Sequence, residues 1–329
     1  VMEAVLAIIA AQRDHGNRED RKQARLKYVI EKHGIDWFRK EVLVRMKAPT
    51  GPAREVRFET VGDALGWHEQ GDGRLFCGVH VEHGRVKDGE TVKYRSAFRT
   101  IAHRIGCPVR VTPNSRVLFY DIDPSRRAEF DGILQSHGVR GPEGLTEARK
   151  TCHACVSLPT CGLGLAESER VFGGVMDRID AVIRELGLEK EPILIRMTGC
   201  PNGCSRPYNA DLSFVGRAPG KYAFYAGGSH RGDRLVGLER KVVTEDEIPS
   251  IVRAHLEEFV MGRTADESFS DFWARTRETG APPHPRQFHV EYAERAAKTE
   301  KVGCGVDGSA VGKCVAVPSG DTGRKWPNA

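Results

Sequence analysis

Five of the nine cysteines in this 329-residue sequence fall between positions 152 and 204. Cys152, Cys155 and Cys161 lie in TCHACVSLPTCGLGLAESER, and Cys200 and Cys204 in RMTGCPNGCSRPY. Thiols gathered this tightly hold metal or take part in catalysis unless they pair as disulfides. Gly and Pro in both loops let backbone N–H groups turn toward an anionic centre. Spacing admits three occupants. Zinc favours a C-x2-C knuckle in each half, which Cys152 and Cys155 supply but the C-x3-C of Cys200 and Cys204 does not. Disulfides suit an oxidising compartment, yet the cysteines are too few and too unevenly spaced for a disulfide scaffold. An iron–sulfur cluster fits uneven spacing around Gly and Pro best. Counting alone does not say which four of the five thiols bind.

The remaining cysteines carry less information. Cys77 and Cys107 stand alone and are expected as buried core thiols. Cys304 and Cys314 fall in a Gly-rich tail, where a local disulfide or a stray metal pair has no better support than no role at all.

Elements must position these loops. Residues 163–186 read as the clearest helix of the chain, with Phe172, Val175, Met176, Ile179, Val182, Ile183 and Leu186 on one buried face. Pro192 follows it, then a strand over residues 193–197 that runs into the Cys200 loop. Further strands are expected at residues 212–215 and 221–226, and a helix from Thr244 or Glu245 to about Gly262. Between residues 47 and 136 the period shifts toward two. Strands are expected at Val56-Arg57-Phe58, residues 75–79, 109–111 and 117–120, with helices over 91–105 and 124–137. That alternation in under a hundred residues points to a small α+β sandwich.

Residues 1–46 read as helical, with Val5, Ile8 and Ile9 opening an apolar stripe that Leu26, Val29 and Ile30 resume after Gly16-Asn17. The basic run of Arg18, Arg21, Lys22, Arg25 and Lys27 is either a solvated face or a contact for an anion or a cofactor carboxylate. From residue 277 onward, prolines and glycines without apolar periodicity predict a poorly ordered extension. The expected divisions are therefore 1–46, 47–136, 137–276 and 277–329.

Composition sets outer limits. Hydrophobic residues make up 40% and charged residues 29%, the profile of a globular chain rather than a disordered one. No stretch approaches the apolar length a transmembrane helix needs, and no signal-peptide cleavage site follows the first residues. A net charge of +5, from 50 basic and 45 acidic residues, is too mild to indicate nucleic acid. A reducing, cytoplasmic location is expected. The sequence opens at Val1 within a helical pattern, which suggests a piece of something longer.

The stretches ACVSLPTCGLGLAESER, RMTGCPNGCSRPY and VGRAPGKYAFYAGG resemble the assimilatory sulfite reductase hemoproteins, within the siroheme nitrite and sulfite reductases, as does QRDHGNREDRKQARLKY near the start. The likeness runs from residue 1 to about 275. The family's C-x5-C and C-x3-C fall on Cys155, Cys161, Cys200 and Cys204 and leave Cys152 aside. Ser-Leu-Pro-Thr between the first two favours sulfite over nitrite reductases. The resemblance implies an α+β fold: a helical end of a preceding domain, a ferredoxin-like half-domain over 47–136 and a cluster- and siroheme-binding domain over 137–276.

The resemblance also implies a [4Fe-4S] cluster on those four cysteines, with Cys204 also the axial ligand of a siroheme iron. The coupled centres would carry the six electrons that take sulfite to sulfide. Asn202 is expected either to hydrogen-bond near the cofactors or to form the turn before Gly203. Electrons would come from an NADPH-dependent flavoprotein or from ferredoxin, with the positive charge leaning toward the acidic ferredoxin. The family's sulfite-binding Arg and Lys side chains, and most siroheme carboxylate contacts, precede residue 1, so the isolated chain is expected to be inactive. Nitrite reduction to ammonia, and a non-catalytic cluster or zinc module, are the alternatives.

Overall fold

The computed structural model describes residues 1–52, 54 and 62–277. The chain divides into two compact units, Val1–Thr60 and the part from Val61 onward.

In the first unit, helices α1 (Met2–His15), α2 (Leu26–His33) and α3 (Ile35–Val44) enclose Ala11, Val29 and Phe38, with Ile8, Leu26, Ile30, Trp37 and Val42 packed around them. The stripe on α1 is rotated from its expected position. Ala7 and Ala11 face inward, while Val5 and Ile9 are exposed. Small alanine side chains let the neighbouring helices approach closely, and bulkier residues at those positions would hold them apart. Arg18, Arg21, Lys22, Arg25 and Lys27 are all exposed within this unit.

The second unit contains two sheets. Strands β1 (Gly66–Glu69), β2 (Leu75–Val79), β3 (Val109–Val111) and β4 (Val117–Ile122) form an antiparallel sheet in the order β1-β2-β4-β3. Helices α4 (Tyr94–Arg104) and α5 (Arg127–Ser136) contribute Ala97, Ile101, Phe130 and Ile133 to its core. Along β4, Val117 and Phe119 alternate inward, and an irregularity at Asp121, whose φ is +57°, brings Ile122 into the core as well. Cys77 and Cys107 belong to this core, as the sequence indicated.

After the short helix α6 (Glu147–Thr151) comes β5 (His153–Ala154), the edge of a five-stranded sheet with β6 (Ile195–Thr198), β7 (Leu212–Ala218), β8 (Lys221–Ala226) and β9 (Gly237–Thr244). β5, β6 and β7 run parallel, and β8 and β9 continue antiparallel. Helix α7 (Glu169–Glu185) lies on this sheet through Phe172, Val175, Met176, Ile179, Val182 and Ile183. A capping box between Thr244 and Glu247 starts the turn into α8 (Ile248–Gly262), and α9 (Phe269–Thr276) completes the core.

Several expected boundaries move by a few residues, and two of the shifts bear on the cysteine loops. The long helix begins at Glu169 rather than Leu163. The Leu165 and Ala166 N–H groups donate to the Gly199 carbonyl at 2.8 and 3.0 Å, which holds residues 163–168 outside the helix. The strand expected from residue 193 starts at Ile195, because the Ile193 N–H turns back to the Glu191 carbonyl. The strand expected at 56–58 and the tail with Cys304 and Cys314 lie outside the described residues.

Candidate metal centre

Parallel pairing brings the two cysteine loops together. Ala154 on β5 is in register with Met197 on β6, so both strands end at the same edge of the sheet. Cys155 follows one strand end directly, and Gly199 and Cys200 follow the other. Loops at the carboxyl ends of parallel strands are where such sheets place ligand-binding groups.

Cys155, Cys161, Cys200 and Cys204 line one cavity of about 610 Å³, together with His83, Arg85, Ser115, His153, Glu169 and Asn202. Cys200 is buried, Cys155 and Cys161 are half-buried, and Cys204 is exposed. All seven cysteines among the described residues are free, so none is held in a disulfide. Burial pushes the Cys200 thiol up, the Asn202 backbone N–H opposes that shift, and Cys155, Cys204 and Cys161 add to it as nearby like charges. A multinuclear cluster suits a cavity of this size better than a lone ion would, and four thiols suit soft iron or zinc.

The loops are locked from below. Gly199 N–H lies 3.2 Å from Cys155 Sγ, and the single Thr198 hydroxyl proton is shared between that sulfur at 3.4 Å and the Cys200 carbonyl at 3.3 Å. Gly199 cannot be another residue without disruption, because a Cβ there would meet Ser157 Oγ at 1.6 Å. That Ser157 hydroxyl donates to the Ala166 carbonyl at 2.6 Å. Buried Arg196 donates to the Ser205 carbonyl at 2.9 Å, and Ser205 Oγ donates to the Met197 carbonyl at 2.7 Å, folding the Cys204 loop back onto β6. Burial and then Arg206 push the Arg196 guanidinium down to about 10.

Asn202 lines the cavity and precedes Gly203, whose φ of +68° is a left-handed turn conformation. Cys152, one of the five thiols that spacing left open, does not line this cavity. It is fully buried, donates to the Arg149 carbonyl at 3.2 Å, and is pushed up to about 12 mainly by burial.

Several wall residues carried no local signal. Arg85, next to the first sheet, holds Glu169 at the start of α7 through contacts of 2.7 and 2.6 Å. Ser115 Oγ and His153 Nε2 lie 2.9 Å apart, and burial followed by Arg196 pushes His153 down to about 4. Each pair joins residues far apart in sequence, so only the fold brings them together.

The sulfite reductase [NADPH] hemoprotein beta-component of Staphylococcus carnosus (strain TM300) is 40% identical over 268 residues, covering 82% of this chain and 47% of that protein. The sulfite reductase [ferredoxin] of Synechococcus elongatus is 41% identical over 295 residues, covering 90% of this chain and 47% of that protein. The family described as Nitrite and sulphite reductase 4Fe-4S domain matches residues 1–50. The chain belongs to the nitrite and sulfite reductase family. Within that family, the chain spans about half the length of the curated relatives it matches. The solved structure of Mycobacterium tuberculosis NirA protein superposes with a TM-score of 0.72 at 25% identity, covering 84% of this chain and 52% of that one. The stretch matched by the nitrite and sulfite reductase family description contains no cysteine, so the thiols lie wholly in the second unit.

Proposed function

We propose that this chain is the cluster-bearing portion of a sulfite reductase hemoprotein, which takes sulfite to sulfide. Cys155, Cys161, Cys200 and Cys204 would hold a [4Fe-4S] cluster, and Cys204 would also hold a siroheme. The single observation that carries this reading is the gathering of those four thiols, and not Cys152, around one cavity. Cys204 suits a shared sulfur because it is the exposed member of the set. When bound, the coupled centres supply single electrons to a substrate that needs six of them.

The chain's own residues hold and shape the site. The Gly199 N–H and the Thr198 hydroxyl fix the Cys155 sulfur and ease negative charge on it. The Arg85–Glu169 pair closes one wall, and Ser115 orients the neutral His153 ring on another. No basic residue of this chain is assigned to binding sulfite. The sulfite reductase names of both relatives favour sulfite over nitrite. They also leave two electron donors, an NADPH-dependent flavoprotein and ferredoxin. The net charge of +5 favours the more acidic of the two.

The test is an anaerobic preparation examined by absorption and EPR spectroscopy, with iron, sulfide and zinc measured together. Broad iron–sulfur absorption with four irons per chain, and a fifth where siroheme is also bound, is the expected result. Zinc in place of iron, with no such absorption, overturns it.

A further inference from the structure

A second group of metal-type donors borders the four-cysteine cavity, which one of its members, His83, also lines. Glu82 and His83 sit in the turn after β2, and Cys152 sits between α6 and β5. One donor atom from each of these three residues lies within 4.8 Å of the others. Cys152 is fully buried and His83 is only 8% exposed. His83 Nδ1 has no hydrogen-bond partner, and its other ring nitrogen faces only the Glu82 carboxylate. A buried nitrogen left in this way is costly, and a metal ion would satisfy it.

The surroundings hold the three residues in place. His83 Nε2 lies 3.2 Å from Glu82 Oε1. Arg149 grips the same carboxylate, with Nε 3.3 Å from Oε2 and Nη2 3.1 Å from Oε1. Fully buried Arg116 donates to the Val81 carbonyl at 3.2 Å and to the Cys152 carbonyl at 2.9 Å, tying the turn to the thiol-bearing segment. The Phe172 ring packs against the His83 ring at 5.2 Å. A thiol, an imidazole and a carboxylate form a borderline-soft donor set, unsuited to magnesium or calcium.

We propose that Glu82, His83 and Cys152 bind one divalent transition metal of the zinc class, sharing no ligand with the four-cysteine centre. Binding replaces the Cys152 S–H bond with a sulfur–metal bond and releases that proton to solvent. One thiolate and one carboxylate offset the two charges of the ion, while Arg149 stays balanced by Asp177 and Asp180. Water supplies the fourth tetrahedral position. The ion would staple the turn after β2 to the residues leading directly into Cys155. The proposal does not depend on the iron–sulfur reading.

Cobalt(II) and zinc(II) serve as probes on the full chain, with iron read in the same samples to report the other centre. Wild type is expected to take up one cobalt per chain with thiolate-to-cobalt charge-transfer absorption. Cys152→Ser is expected to abolish that band, and His83→Asn to weaken binding at least about tenfold. Cys200→Ser is expected to remove the iron and keep the cobalt band. Failure of wild type to bind either ion overturns the proposal. So does a band that survives Cys152→Ser but is lost in Cys200→Ser. Circular dichroism checks that each variant folds. If Cys152→Ser does not fold, the comparison of wild type with Cys200→Ser still decides.

Discussion

The two sheets of the second unit both carry cysteines and use them in opposite ways. In the antiparallel sheet, Cys77 lies within β2 and Cys107 just before β3, both packed into the core. Burial pushes the Cys77 thiol up to about 12, so it stays protonated and inert. In the mixed sheet, the cavity thiols lie beyond the carboxyl ends of parallel strands, among backbone N–H groups and an open cavity. The residue type is the same. The four proposed cluster ligands all lie past the carboxyl end of a strand, whereas Cys77 lies within one and Cys107 ahead of one.

The sharpest way to break this contrast is paired substitution. Cys200→Ser is expected to remove the iron–sulfur absorption entirely. Cys77→Ala is expected to leave iron content unchanged and cost about 1 kcal/mol in urea unfolding. Equal iron loss in both variants would mean that the sheets do not divide their labour.

A smaller effect sharpens the same comparison through pH. His80, at the end of β2, is pushed down to about 3 by burial and then by Arg116, below its unfolded value of about 6.5. Its contribution is fully present above pH ~6.5 and is lost as pH falls toward 3. Asp211, beside the start of β7, is pushed up to about 7, mainly by burial, although the Leu194 N–H donates to it at 2.7 Å. Its contribution is present below pH ~4 and is lost as pH rises through 7. Both windows lie below about pH 7 and act in opposite senses, so across pH 4–9 melting temperatures are expected to rise less from pH 4 toward neutral in His80→Asn and to fall less over the same range in Asp211→Asn. Each slope is on the order of 1 kcal/mol per pH unit.

The smallest expected effect lies on a single sulfur. Thr198→Val keeps the side chain's shape but removes a hydroxyl shared between Cys155 Sγ and the Cys200 carbonyl. A redox titration followed by EPR is expected to show a more negative cluster potential with iron content intact, because hydrogen bonds to sulfur favour the reduced state. An unchanged potential would leave the Gly199 N–H as the only donor that matters there.

Much of the second unit was legible because it rests on local pattern. The buried face of α7 repeats at helical spacing, β4 alternates, and the C-x5-C and C-x3-C motifs are contiguous strings. What escaped depended on distant atoms. The Gly199 carbonyl, more than thirty positions downstream, moves the start of α7, and nothing between residues 163 and 168 announces it. The separation of Cys152 from the other four thiols likewise follows from where β5 ends, and a two-residue strand leaves no periodicity to find. The inward face of α1 was misplaced because its packing residues are alanines, which hydrophobic patterning undervalues.

Arg116 carries a consequence beyond local order. Its guanidinium donates to the carbonyls of Val81, Asn114, Lys150 and Cys152, so its acceptors come from both sides of the junction between the sheets. A chain severed between residues 136 and 147 would leave one piece with an inward cation lacking half its acceptors. The other piece would expose two carbonyls beside the cysteine loop. Recombination between relatives at that junction is therefore disfavoured, and the two sheets should be inherited together.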